Sequence, residues 1–103
     1  MGDLRSGSLR RGRKRLTARD RAEYAFVTAR DGECITPVVD PAADACEGPA
    51  ERQHVRPGPG ATRLTDRRWM VLLCRHHHHD GWGTSKHGLE LQRDYLEKRA
   101  NDG

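Results

Sequence analysis

Apolar residues recur at two different periods along this chain, and the change of period marks its elements. Between Thr17 and Gly32, Ala22, Ala25, Phe26 and Ala29 fall at helical spacing, which predicts a helix over 18–31 with a narrow packing stripe. Thr17-Ala18-Arg19-Asp20 has the form of a capping box with Asp in place of the usual Glu or Gln, and Gly32 suits the C-terminal stop. Ile35-Thr36-Pro37-Val38-Val39 is β-prone but interrupted by proline, and residues 40–49, DPAADACEGP, are turn-rich. Residues 50–56, AERQHVR, read as a short strand with Glu51 and Gln53 on one face and Arg52 and His54 on the other. PGPGA, 57–61, predicts a loop, after which Thr65 or Asp66 caps a turn into the apolar run WMVLLC. A helix is predicted to start near His76, with Gly81 and Gly83 opposing a long continuation. The last predicted helix, about 88–99, carries Leu89, Leu91, Tyr95 and Leu96 between charges.

This mixture of short strands and helices predicts an α+β fold and one small domain, 17–100, between a basic arm at 1–16 and a short tail at 101–103. Only 34% of residues are hydrophobic and 33% are charged, so the core is thin and calls for a staple such as a metal or disulfides. Three cysteines cannot pair completely, and the longest apolar run, Trp69 to Cys74, is far too short to span a bilayer. A reducing, cytoplasmic home with cysteines as metal thiolates is the expectation, and no membrane partner.

Charge is unevenly placed. Arg5, Arg10, Arg11, Arg13, Lys14 and Arg15 face Asp3 alone in the first 16 residues, whereas the remainder holds 13 Lys/Arg and 14 Asp/Glu. The basicity is therefore an Arg-, Gly- and Ser-rich arm, expected to be disordered. It is either a solubilising terminus or an arm that neutralises nucleic-acid phosphates.

The segment LLCRHHHHDGW, 72–82, raises the chemical question. A histidine run of this kind resembles a purification tag, but tags sit at termini and this one is internal and follows an apolar stretch. Cys74-x-x-His77 has the spacing that lets two side chains converge on one tetrahedral ion, and Cys34 and Cys46 supply two more ligands of a Cys3His zinc site. The alternative is that the cysteines are small buried hydrophobes. Successive helical residues point about 100° apart, so His78 faces a different sector from His77 and could meet His54 from the strand. Two imidazoles there suggest a second site, with one histidine as general base and the other as ligand of a divalent cation.

ARDGEC followed by a second cysteine, then QHV, then LLCRHHHHDGWGTS and a leucine-bearing helix resembles the small HNH endonucleases of actinobacteria and their phages, over roughly residues 27–99. The resemblance implies a ββα-metal (His-Me finger) core with a structural zinc knuckle on Cys34, Cys46, Cys74 and His77, and flanking N- and C-terminal helices. It implies that His54 is the general base activating water and that His78 binds a catalytic Mg²⁺ or other divalent transition metal. DNA is the implied substrate and partner, phage terminase a possible associate, and the host cytoplasm the setting for a phage-encoded member. Hydrolysis would leave a 5′ phosphate and a 3′ hydroxyl. Two positions depart from the pattern. Gln53 stands where a second metal ligand, usually Asp, Glu or His, is expected, with Glu51 as its substitute directly or through water. Trp69 stands at the position of the asparagine that orients the base.

Of the other candidates, His76 and His79 are expected to be solvated or phosphate-facing, Asp80 a turn residue, Trp82 packed on the zinc knuckle and His87 a surface residue without a partner. Arg10, Arg11, Arg13, Lys14 and Arg15 of the arm, with Arg52 and Arg56, are the expected DNA contacts. Arg63, Arg67, Arg68 and Arg75 are expected around the same cleft. No element resembles a base-reading helix, so little sequence specificity is expected. A zinc-stabilised DNA-binding module without catalysis is the alternative of a different class.

Overall fold

The computed structural model describes residues 16–56 and 64–102. The basic arm through Arg15, the 57–61 loop and Arg63 lie outside them. Helix α1 (Ala18–Asp31) starts at the capping box read from the sequence: Asp20 N donates to Thr17 Oγ1 at 3.0 Å and Thr17 N to Asp20 Oδ2 at 3.2 Å. Gly32, at φ 74°, ends it. The packing stripe differs from the expected one. Ala22, Ala25, Phe26 and Ala29 are exposed, and Glu23 and Val27 are the buried residues. Three alanines offer little area to bury, whereas Val27 packs on Met70 and Leu72. Glu23 can be buried because Arg67 satisfies it, with the backbone N–H at 2.7 Å and the guanidinium Nη2 at 2.8 Å.

The β-prone 35–39 stretch forms a helical turn, α2 (Thr36–Val39), in place of a strand. Pro37 sits in its first turn, where a missing N–H costs nothing and the ring presets the helical φ. Strands β1 (Ala50–His54) and β2 (Met70–Cys74) pair antiparallel, with Ala50 opposite Cys74 and His54 opposite Met70. The strand expected to reach 56 ends at His54, although Val55 N still donates to Trp69 O at 2.7 Å. A 3₁₀ turn, Arg67–Trp69, precedes β2 and is capped by Asp66. Every residue of β2 is buried. Met70 and Leu72 meet Val27 and Tyr24 on one side, while Val71 and Leu73 join Ile35, Val55 and Leu96 on the other. Coverage on both faces explains why this strand is a continuous apolar run without alternation.

Helix α3 (Arg75–His79) follows β2 directly, and after a second 3₁₀ turn, Trp82–Thr84, α4 (Lys86–Asp102) closes the chain. α4 is longer than the predicted 88–99 and takes in residues 101 and 102 of the expected tail. The layers are tied by Asp31. Its carboxylate, fully buried, accepts from Leu72 N at 2.9 Å, Arg30 Nε at 2.7 Å and Tyr95 OH at 2.5 Å. Arg30 reaches on to the carbonyls of Arg67 and Met70 at 2.8 and 2.6 Å. Among the described residues the result is a small α+β domain with a two-stranded antiparallel sheet and four helices. Among the described residues no helix is long and apolar enough to cross a membrane.

Candidate metal centre and adjoining cavity

The β2–α3 junction brings the three cysteines together. Cys74 is both the last residue of β2 and the N-cap of α3, its sulfur accepting from His77 N at 3.4 Å. One helical turn later, His77 points its ring to the same side. Cys34 arrives from the end of α1 and Cys46 from the loop before β1. His77 Nδ1 lies 3.2, 3.6 and 3.8 Å from the sulfurs of Cys74, Cys34 and Cys46. Tetrahedral zinc with ordinary Zn–S and Zn–N bonds needs about 3.6 Å between such donors. All four donor atoms lie within 4.8 Å of one another, so the cluster could hold a metal ion.

The surroundings suit that role. His77 Nε2 is 2.9 Å from the carbonyl oxygen of Asp44, which can only accept, so the ring proton sits on Nε2 and Nδ1 presents its lone pair to the sulfurs. Trp82 packs edge-on to His77 with centroids 5.9 Å apart, as its expected place on the knuckle requires. Burial raises the Cys74 thiol, but the backbone N–H groups of His77 and Glu47 and the neighbouring cysteines outweigh it and bring it down to about 7. Cys46 moves the other way, up to about 12, through burial of its sulfur and then the contact and charge of Cys34. Three thiols this close oppose one another's ionisation, and a divalent cation among them removes the conflict.

The other three histidines of the run have carboxylate partners. His78 Nδ1 and His79 Nε2 both meet Glu51 Oε1, at 2.7 and 2.9 Å, and these three residues form a second group able to hold a metal ion. The two imidazoles hold the Glu51 carboxyl below its usual range, His78 contributing most. His76 is gripped by Asp44 through Nε2 at 2.7 Å and Asp80 through Nδ1 at 2.6 Å. Asp44 first, then Asp80, pushes it up to about 9. His76 and His79 are therefore bonded to carboxylates rather than simply solvated. Asp80 is the C-cap residue of α3, in keeping with a turn role, and also anchors His76. His87, expected without a partner, meets Asp40 at 3.2 Å. Sequence spacing could not pair these groups, because the carboxylates of Asp40, Asp44 and Glu51 come from distant segments.

Beside α3, a cavity of about 510 Å³ gathers Gln53, His54 and His78 with Arg52, Arg56 and Arg93. The strand faces are as read: Arg52 stacks on the Tyr24 ring at 4.3 Å and His54 meets it edge-on at 6.5 Å, while Glu51 turns to α3. Gln53 Nε2 donates to Gly83 O at 2.8 Å, so one end of that amide is tied to the protein. Trp69 contributes its carbonyl, which fixes Val55, the residue after His54. Arg67, Arg68 and Arg75, expected around this cleft, face elsewhere. Arg67 is paired with Glu23 and lines a groove with Arg68, and Arg75 lies against Gly48. Arg93 is the cavity residue that sequence reading missed; it arrives through the fold-back of α4, and no local pattern marks it. Compared with known protein families, with curated proteins and with solved structures, the chain matches none of them.

Proposed function

We propose that this chain is a metal-dependent endonuclease of the HNH, ββα-metal type, hydrolysing DNA phosphodiester bonds on a scaffold stapled by zinc at Cys34, Cys46, Cys74 and His77. The observation that carries the reading is the cavity in which His54, His78 and Gln53 share one space with three arginines beside the cysteine cluster. The order β1, β2, α3 around that cavity is consistent with it.

In this reading His54 takes the proton of a water molecule whose oxygen bonds to phosphorus, and the bond from phosphorus to the 3′ oxygen breaks. Arg52, Arg56 and Arg93 hold the phosphate and offset the charge that builds on its oxygens. Glu51 and His78, with His79 beside them, would hold the divalent ion. One carboxylate oxygen and two imidazole nitrogens suit Mn²⁺, Co²⁺ or Ni²⁺ better than Mg²⁺, which prefers oxygen donors. Such an ion supplies Lewis acidity toward the phosphate and the leaving oxygen.

Plasmid nicking under each divalent metal tests the proposal. His54→Ala should abolish cutting while zinc content and far-UV circular dichroism are kept; cutting at the parental rate by His54→Ala, with contaminating nuclease excluded, refutes the assigned base. A second reading, a zinc-stabilised DNA-binding module without catalysis, draws support from Gln53, whose amide is bonded to Gly83 O where a metal-binding carboxylate is the usual residue. It requires salt-sensitive DNA binding and no cutting under any metal.

A further inference from the structure

Arginine and aromatic side chains continue beyond the cavity along α4, and we infer that they form a track for an unpaired nucleic-acid strand. The inference rests on the nuclease reading and narrows its substrate to DNA bearing a single-stranded segment, such as a fork or flap.

Arg93 lines both the cavity and a neighbouring slot of about 280 Å³, whose other walls include Arg68, Trp69, Leu96 and Glu97. Arg68 and Leu96 in turn help to line a groove of about 520 Å³ with Phe26, Arg67 and Arg99. The three spaces thus share walls in sequence, and the shared residues include arginines. Along the slot and groove, Arg68, Arg93 and Arg99 stand against one acidic residue among the described lining, Glu97, while Arg67 is committed to Glu23. Arg30 also lines the groove but is spent on Asp31 and two backbone carbonyls. Arg68 is 70% exposed, with Asp66 at 3.9 Å, a distance that leaves its guanidinium open to a phosphate.

A polyanion fits that charge, and the aromatic groups decide which kind. Duplex DNA keeps its bases stacked inside and offers an arginine track phosphates alone. Here the arginines alternate with apolar residues: Trp69 lines the slot between Arg68 and Arg93, and Phe26, 40% exposed, lines the groove with one ring face already covered by Arg67 at 3.8 Å. Aromatic rings interleaved with guanidinium groups bind a strand whose bases are unstacked and free to lie on them. Such a strand would run from the cavity past Arg93, place a base against Trp69 and continue over Arg68 and Arg99.

The test uses the full chain with its structural metal and no added divalent ion, so that binding is read without cutting. Fluorescence anisotropy with an oligothymidine of about 12 nucleotides, a forked duplex and a blunt duplex should show the fork bound about tenfold more tightly than the blunt duplex. The double variant Arg68→Glu/Arg99→Glu should remove that preference. Trp69→Leu should lower oligothymidine affinity about tenfold while the salt dependence persists. Each variant is first checked for metal content and far-UV circular dichroism; the charge variant, altering exposed side chains, stands by itself if Trp69→Leu misfolds. Equal affinity for forked and blunt DNA, or an unchanged fork preference in Arg68→Glu/Arg99→Glu, overturns the track. Fork binding without cutting under any metal would remove the nuclease reading and leave the track standing, whereas cutting with unaltered fork affinity in the double variant would do the reverse.

Discussion

Stripping metal from the cysteine cluster should unfold this domain, and the size of the effect can be worked from the chain. A zinc ion on the four ligands closes a loop from Cys34 to Cys46 and another from Cys46 to Cys74, of 13 and 29 residues. Treated as cross-links of the unfolded chain, these closures contribute about 3 and 4 kcal/mol. A domain of this length has on the order of 5–15 kcal/mol in total, so losing both links removes from somewhat under half to all of it. Cys46→Ser is the informative perturbation. Cys46 is the exposed member of the cluster, so its replacement disturbs little packing and any large effect reports ligation. Thermal melts followed by far-UV circular dichroism, with zinc release measured in parallel, should put the variant and the chelated parent tens of degrees below the zinc-loaded parent. Melting of chelated protein within a few degrees of the loaded form, after zinc loss is verified, would refute the staple.

Further outcomes follow from other contacts. Gly88→Ala should destabilise by roughly 3 kcal/mol in urea titrations, because the new Cβ would fall 1.9 Å from Trp82 O, even though alanine is the better helix former; a neutral result would mean the α4 entry is looser than described. Glu23 is held down at about 2, from 4.5, chiefly by Arg67, so its stabilising effect is present above pH 4.5 and disappears as pH falls toward 2. Glu23→Gln should therefore lower the urea midpoint at pH 7, and the gap should narrow as pH falls below 4.5 for as long as the metal stays bound; a pH-independent gap over that range would contradict the pairing. Glu51→Gln should raise the Mn²⁺ concentration for half-maximal nicking at least about tenfold. An unaltered metal requirement would place Glu51 outside the ion's ligands.

What the sequence made legible was local. The Thr17–Asp20 cap depends on residues three apart, and Cys74-x-x-His77 depends on one helical turn, so both could be read without the fold. The remaining cysteines were found by elimination, since the chain holds three. Distance along the chain hid the rest. The buried face of α1 turns on Arg67 reaching Glu23 from 44 residues away, which reverses the preference for an alanine stripe. The β-prone 35–39 stretch became helical because Pro37 favours a first turn, and the partners of His76, His79 and His87 are set by where Asp44, Glu51 and Asp40 return to the knuckle. Arg93 joined the cavity for the same reason, carried there by α4.

Strand β2 has no neutral alignment. Sliding it by a single residue against β1 would exchange Met70 and Leu72 with Val71 and Leu73 between the two apolar layers. The same slip would carry Cys74 about 3.3 Å along the strand, away from the other sulfurs. Seating the sheet and assembling the ligand set are therefore a single event, and an indel within 70–74 would abolish both at once.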